Sequence, residues 1–135
     1  SDDLNTIVIT GDSTIESEIL YLVNAHRRSI GENDLQLNNR ASELAENHTL
    51  YMIDQRNISH DNFSVRVDIL FEEESALRVA ENVASGYNSA QSVMNGWLNS
   101  AGHRDNLEGD YTHIGISALK NSSGKYYYTQ LFLKK

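Results

Sequence analysis

The sequence predicts an α+β domain in which helices lead and a β-hairpin closes. Three stretches in the first hundred residues repeat apolar side chains at three- and four-residue spacing, the mark of a helix face turned to a core. The last two stretches, 112–119 and 125–133, alternate in strand fashion around Asn121-Ser122-Ser123-Gly124, a turn signal between antiparallel strands. At 135 residues, 39% hydrophobic and 22% charged, the chain fits one domain with a core of its own.

Residues 1–13 read as an N-terminal arm and 14–135 as the single domain. Ile7-Val8-Ile9-Thr10 is a short β-branched patch, a loose arm or an edge strand, broken by Gly11-Asp12-Ser13. A helix starts at Thr14, with Ser13 or Thr14 as its cap and Glu16 and Glu18 complementing the dipole of its first turn. Ile15, Ile19, Leu22, Val23 and His26 form its stripe, and Gly31 ends it. A second helix runs from about Asn39 to Gln55, with Ala41, Leu44, Ala45, His48, Tyr51 and Met52 on one face and Glu43, Glu46 and Asn47 facing away. Residues 57–62 read as loop. The stretch 64–77 is ambiguous, although Val67, Leu70, Phe71 and Leu77 suit a helix. Val79 to Tyr87 is a short segment of small and apolar residues closed by Ser85-Gly86. Ser89 caps a third clear helix that buries Val93, Met94, Trp97 and Leu98, and Ser100-Ala101-Gly102 breaks it just before His103. Tyr126, Tyr127 and Tyr128 must point to alternating faces of a strand, so at least one should be exposed.

Bulk charge narrows the function classes. The net charge of −8 and the absence of any Lys/Arg cluster beyond Arg27-Arg28 and Lys134-Lys135 argue against nucleic acid and against electrostatic docking on anionic membranes. No apolar run approaches the length of a membrane span, and no signal-peptide pattern opens the chain. Cysteine is absent, which excludes disulfides, thiolate metal sites and a Cys nucleophile.

Two histidines and a glutamate stand in short strings of small residues on separate elements: His60 in SHDNF (59–63), Glu81 in AENV (80–83) and His103 in WLNSAGHRDNL (97–107). Imidazoles are good zinc ligands, and a carboxylate beside them can be a third ligand, a base or an orienting group. The same three groups can equally tie loops together by hydrogen bonds. Asn82, a donor and an acceptor at once, reads as a bridge between loops. His48 lies on an apolar stripe and reads as a satisfied core histidine, Trp97 reads as core, and His26 reads as a helix-end group. Arg104 could pair with an acidic group or with a ligand carboxylate. Ser100 has no Gly-x-Ser-x-Gly elbow around it, and no His-Glu-x-x-His helix is present.

In order, LVNAHRRSIG (22–31), ASELAENHTLYM (41–52), SHDNF, AENV, WLNSAGHRDNL, THIGIS (112–117) and YYYTQLF (126–132) resemble the CAP superfamily, also called SCP-like or PR-1-like domains, in its bacterial form. The resemblance runs from about Ile15 to the C-terminus. It implies a three-layer α–β–α sandwich around a small antiparallel sheet, and a cleft that in many members is lined by two His and two Glu and can hold a divalent metal such as zinc. Carried onto this chain, the cleft residues are His60, Glu81 and His103, with His60 and His103 as the metal ligands. The fourth position reads Ser100 where the family has Glu, so the tetrad is incomplete, and the family's Gly before the motif Glu is Ala80 here.

The resulting expectation is an exported domain, extracellular or in the cell envelope. It is a binding or interaction module whose cleft can take a divalent metal and whose ligand is a small molecule, a lipid or a protein. A metal-assisted hydrolase, with Glu81 as base and the two His holding zinc, is the alternative enzyme reading. Lipid or sterol binding in an apolar groove is the third.

Overall fold

In the computed structural model, which describes residues 12–135, five helices and four strands are found among the described residues. Ile7–Thr10 lies outside the described residues. Helix α1 (Ser13–Ser29) starts one residue earlier than expected, because Asp12 caps it: its carboxylate accepts the Ile15 N–H at 3.2 Å. Its end is as read, with Gly31 at φ +82°, a conformation that side chains rarely tolerate. Strand β1 (Gln36–Leu37) follows, then α2 (Asn39–Gln55), with the bounds the stripe predicted. Asn38 joins these two elements. Its side chain accepts the Ala41 N–H at 2.8 Å to cap α2, while its own N–H reaches Ile114 O at 2.9 Å.

The ambiguous stretch is helical, α3 (Phe63–Glu74), but it buries Arg66 and Leu70 and leaves Phe71 and Leu77 exposed. The small-residue segment is strand β2 (Arg78–Ser85). Helix α4 (Ala90–Leu98) carries a reciprocal Ser89/Ser92 capping box. The break at Ser100 is real, yet Ala101–Leu107 resumes as a short helix, α5, so His103 sits inside a helix and not at the end of one. Strands β3 (His113–Lys120) and β4 (Tyr126–Lys134) form the expected hairpin.

The sheet order is β1-β3-β4-β2. The sheet is mixed and not purely antiparallel: β1 runs parallel to β3, pairing Gln36 with His113 and Leu37 with Ile114. Helices α1, α4 and α5 cover one face through Ile19, Val23, Trp97 and Leu107 against Ile114, Ile116 and Tyr128. Helices α2 and α3 cover the other through Ala41, Leu44, Ala45 and Leu70 against Leu131 and Leu133. This is the α–β–α sandwich.

Coverage of both faces corrects the expectation for the tyrosine run. Tyr126, Tyr127 and Tyr128 are all buried, because β4 is an inner strand flanked by β3 and β2. The Tyr128 hydroxyl donates to Tyr87 O at 2.6 Å, and its ring meets Trp97 edge-on. Trp97 is core, as read, with its indole N–H on Val83 O at 3.2 Å.

Glu16 of α1 is a carboxylate caught at the sheet edge, where Oε2 accepts the Ala118 N–H at 3.0 Å. Burial, reinforced by the Glu46 and Asp12 carboxylates, outweighs that hydrogen bond and pushes its pKa up to about 7 from an ordinary 4.5. The folded state therefore holds this proton more tightly than the unfolded chain, and the stability it confers falls as pH rises from about 4.5 to about 7. Glu16→Gln keeps the acceptor and removes the charge. Urea unfolding should find it equal to the wild type at pH 4 and more stable at pH 8, by roughly 1–2 kcal/mol once partial exposure is discounted.

Candidate functional site

The predicted site residues meet at the outer edge of β2, but only two of them touch. Along β2, Ala80, Asn82 and Ala84 face the α1/α4/α5 layer, so Glu81 and Val83 point the other way, toward α2 and α3. Glu81 is thereby delivered to the loop before α3, where His60 Nδ1 donates to its Oε1 at 2.8 Å. His103 stands on α5, in the opposite layer. Among the described residues its ring makes no hydrogen bond, and burial, followed by the nearby His60 ring, holds its pKa below the ordinary histidine value.

Arg66 is the partner that sequence reasoning missed. Its Nε donates to Glu81 Oε2 at 2.7 Å and its Nη2 to Glu81 Oε1 at 2.8 Å, a two-pronged pair, while Nη1 holds Asp61 O at 2.8 Å. The Glu81 side chain is 1% exposed and that of Arg66 8%. A signal was available: Arg66 lies three residues after Phe63 and four before Leu70, so it occupies the buried stripe of its own helix. A charge at such a position needs a buried counter-charge.

His48 behaves as the core histidine expected of it, donating from Nε2 to Ser59 O at 2.6 Å, with burial lowering its pKa. Its 3.9 Å approach to Glu81 is thus a neutral ring beside a carboxylate that is already paired. Asn82 is fully buried and bridges as read, donating to His103 O and to Gln130 Oε1, both at 3.2 Å. Asn106, a second group not foreseen, donates to Asn82 Oδ1 at 2.9 Å and to Glu81 O at 3.3 Å, locking α5 onto β2. Arg104 pairs with no acidic group among the described residues; its Nε donates to Leu98 O at 2.9 Å. Ser100 starts α5 without a side-chain capping bond. At the far end of α1, His26 pairs with Glu108 at 2.7 Å, and the buried Arg27 guanidinium donates to Asn33, Leu107 and Gly109 carbonyls, so this pair of residues is structural.

The cleft itself has a volume of about 430 Å³ and is lined by His60, Phe63, Val79, Ala80, Glu81 and Asn106. The zinc set does not fit these residues. Both Glu81 oxygens are held by the Arg66 guanidinium, whose charge would repel a cation there, and the fourth position is a serine. Among the described residues, no group of three or more His, Cys, Asp or Glu side chains is placed to hold a metal ion.

Comparison with known proteins supports the fold. The profile of the CAP, or cysteine-rich secretory protein, family matches residues 20–132. The uncharacterized membrane protein YlbC of Bacillus subtilis (strain 168) is 34% identical over 127 residues, spanning 91% of this chain and 35% of YlbC. The uncharacterized protein YkwD of the same strain is 30% identical over 127 residues, spanning 91% of this chain and 48% of YkwD. The chain thus spans about half or less of the length of these curated relatives. An outer surface protein from Borrelia burgdorferi superposes with a TM-score of 0.80 at 26% identity, covering 92% of this chain and 96% of that one. An extracellular protein containing an SCP domain from Bacillus anthracis str. Ames gives a TM-score of 0.79 at 26% identity, covering 92% and 41%. With the α–β–α layers, the β2-edge cleft and the family profile coinciding over the same residues, the chain belongs to the cysteine-rich secretory protein (CAP) family, here without a single cysteine.

Proposed function

We propose that this CAP domain is an exported, non-enzymatic binding module whose recognition site is the β2-edge cleft. The observation that carries this reading is the engagement of Glu81: two guanidinium bonds and one imidazole take three of the roughly four acceptor sites of its carboxylate, and the Arg66 charge beside them repels a cation. The groups left to meet a ligand are the outer side of the half-exposed His60 ring, the Asn106 amide and the apolar floor of Phe63 and Val79. That combination, in a cavity of about 430 Å³, suits a polar small molecule or a peptide segment. The lipid reading has a smaller candidate, a groove of about 200 Å³ between α2 and α3, below the range usual for small-molecule sites. Export is supported by the outer-surface and extracellular descriptions of the two structural relatives. No helix among the described residues is long and apolar enough to cross a membrane.

Calorimetric titration with zinc tests the reading. The expected result is no saturable one-to-one heat in the wild type or in His60→Ala/His103→Ala, with no gain in thermal stability at excess zinc. Stoichiometric binding that disappears in the double variant would make the cleft a metal site instead. Peptide hydrolysis by the wild type, lost in folded His103→Ala, would replace a binding module with a hydrolase.

A further inference from the structure

The opposite edge of the sheet carries an incomplete strand pairing inside an acidic groove. On β3 the backbone groups of residues 114, 116 and 118 face outward, by the alternation of an antiparallel ladder. Ile114 O accepts the Asn38 N–H at 2.9 Å, and β1 pairs no further along. Ala118 is also satisfied: its O accepts the Asp12 N–H at 2.9 Å and its N–H reaches the Glu16 carboxylate. Between them, the outward N–H and C=O of Ile116 have no partner among the described residues. Ile116, 5% exposed, lines a groove of about 490 Å³ with Ser13 and Glu16 of α1 on one wall and Ser42, Glu43 and Glu46 of α2 on the other.

Unpaired strand edges are templates for another chain, and side-chain chemistry beside the edge selects which one. Three carboxylates surround this edge in a chain of net charge −8. Among the described residues the one cation close to them is Arg40, 3.6 Å from Glu43 and shared with Glu73; Glu16 and Glu46 have none. We propose that this groove takes an extended lysine- or arginine-rich peptide segment of a partner as a short added strand on Ile116. The guest residue opposite Ile116 directs its side chain to the α1 wall and Glu16, since paired residues share a face. Its two neighbours point to the α2 wall, toward Glu43 and Glu46. Three consecutive basic residues therefore match the groove. The raised pKa of Glu16 agrees with a carboxylate awaiting a cation, and binding at pH 7 should release a proton.

The probe is Ac-Ala-Lys-Lys-Lys-Ala-NH2 added to the whole chain labelled with 15N. In the free protein the Ile116 amide should exchange quickly with solvent, and saturation with peptide should slow it about tenfold or more. With the segment antiparallel to β3, its central residue exchanges both backbone bonds with Ile116, so N-methylating the central lysine leaves the charge but removes the strand donor and should weaken binding about tenfold. Glu16→Gln/Glu46→Gln should weaken it by roughly five- to thirtyfold through two lost ion pairs. An Ile116 amide already protected without peptide would mean that the edge is covered, by this chain or a second copy, and would overturn the proposal. So would absence of binding, or equal affinity of the N-methylated peptide, which would leave only diffuse charge attraction. None of these outcomes touches the β2-edge cleft.

Discussion

Arg66→Met should destabilise the domain by about 3–5 kcal/mol, the usual cost of removing one partner from a buried ion pair. For a chain of this size that lowers Tm by roughly 10–20 °C. The reason lies in Glu81, which keeps a buried carboxylate that only the exposed His60 ring then helps to satisfy. Arg66 also clamps Asp61 O, so the loop that carries His60 loses its anchor in the same step. The double variant Arg66→Met/Glu81→Leu should recover most of the loss, because replacing both members by apolar side chains leaves no orphaned charge. Denaturant midpoints of wild type, single and double variants check this. A loss under about 1 kcal/mol in the single variant would mean that water or another group satisfies Glu81 readily. The carboxylate would then be available for proton or metal chemistry, and the case against a hydrolase would fall with it.

This dependence of the site on Arg66 shows where sequence reasoning stopped and why. Elements whose partners are local could be read. Helix α2 announces itself by its period, and the hairpin by alternation around Asn121 to Gly124, with Gly124 at φ +84°. His60, Glu81 and His103 could be picked out as candidates as well, through short strings in a fixed order, and the structure puts the first two in contact. What could not be read is which side of the sheet each one reaches. Glu81 and Asn82 are adjacent in the chain and end in different layers, one with Arg66 and the other with Asn106. That sorting depends on the pairing of β2 with β4, Glu81 opposite Leu131 and Asn82 opposite Gln130, which no local pattern encodes. Strand β2 itself was hidden by its composition, since Ala, Glu, Asn and Ser carry little strand preference. The parallel pairing of β1 rests on two residues, too few for any periodicity.

The second large effect is expected where α2 crosses β3. A Cβ added to Gly115 would overlap the carbonyl of Ala41 and the amide nitrogen of Ser42, backbone atoms that no rotamer change can move aside. Gly115→Ala therefore has to push the first turn of α2 off the sheet. Overpacking of this kind typically costs 1–3 kcal/mol, and here about 3 kcal/mol or more is expected because the obstacle is main chain on both sides. Gly102→Ala is the matched control: it lies within α5 with nothing within 4 Å of its added methyl, so it should be neutral or gain up to about 1 kcal/mol. Urea unfolding of the pair measures the difference. The displacement has a direction as well as a size. Ala41 and Ser42 sit where α2 leaves Asn38, and the same helix carries Glu43 and Glu46 to the sheet edge and His48 to the Glu81 cluster. A rigid shift of α2 should thus perturb the His48 ring resonances and the binding of a basic peptide at Ile116 together. A destabilised variant in which neither moves would show that α2 bends locally at its first turn, and that its two ends are not mechanically joined.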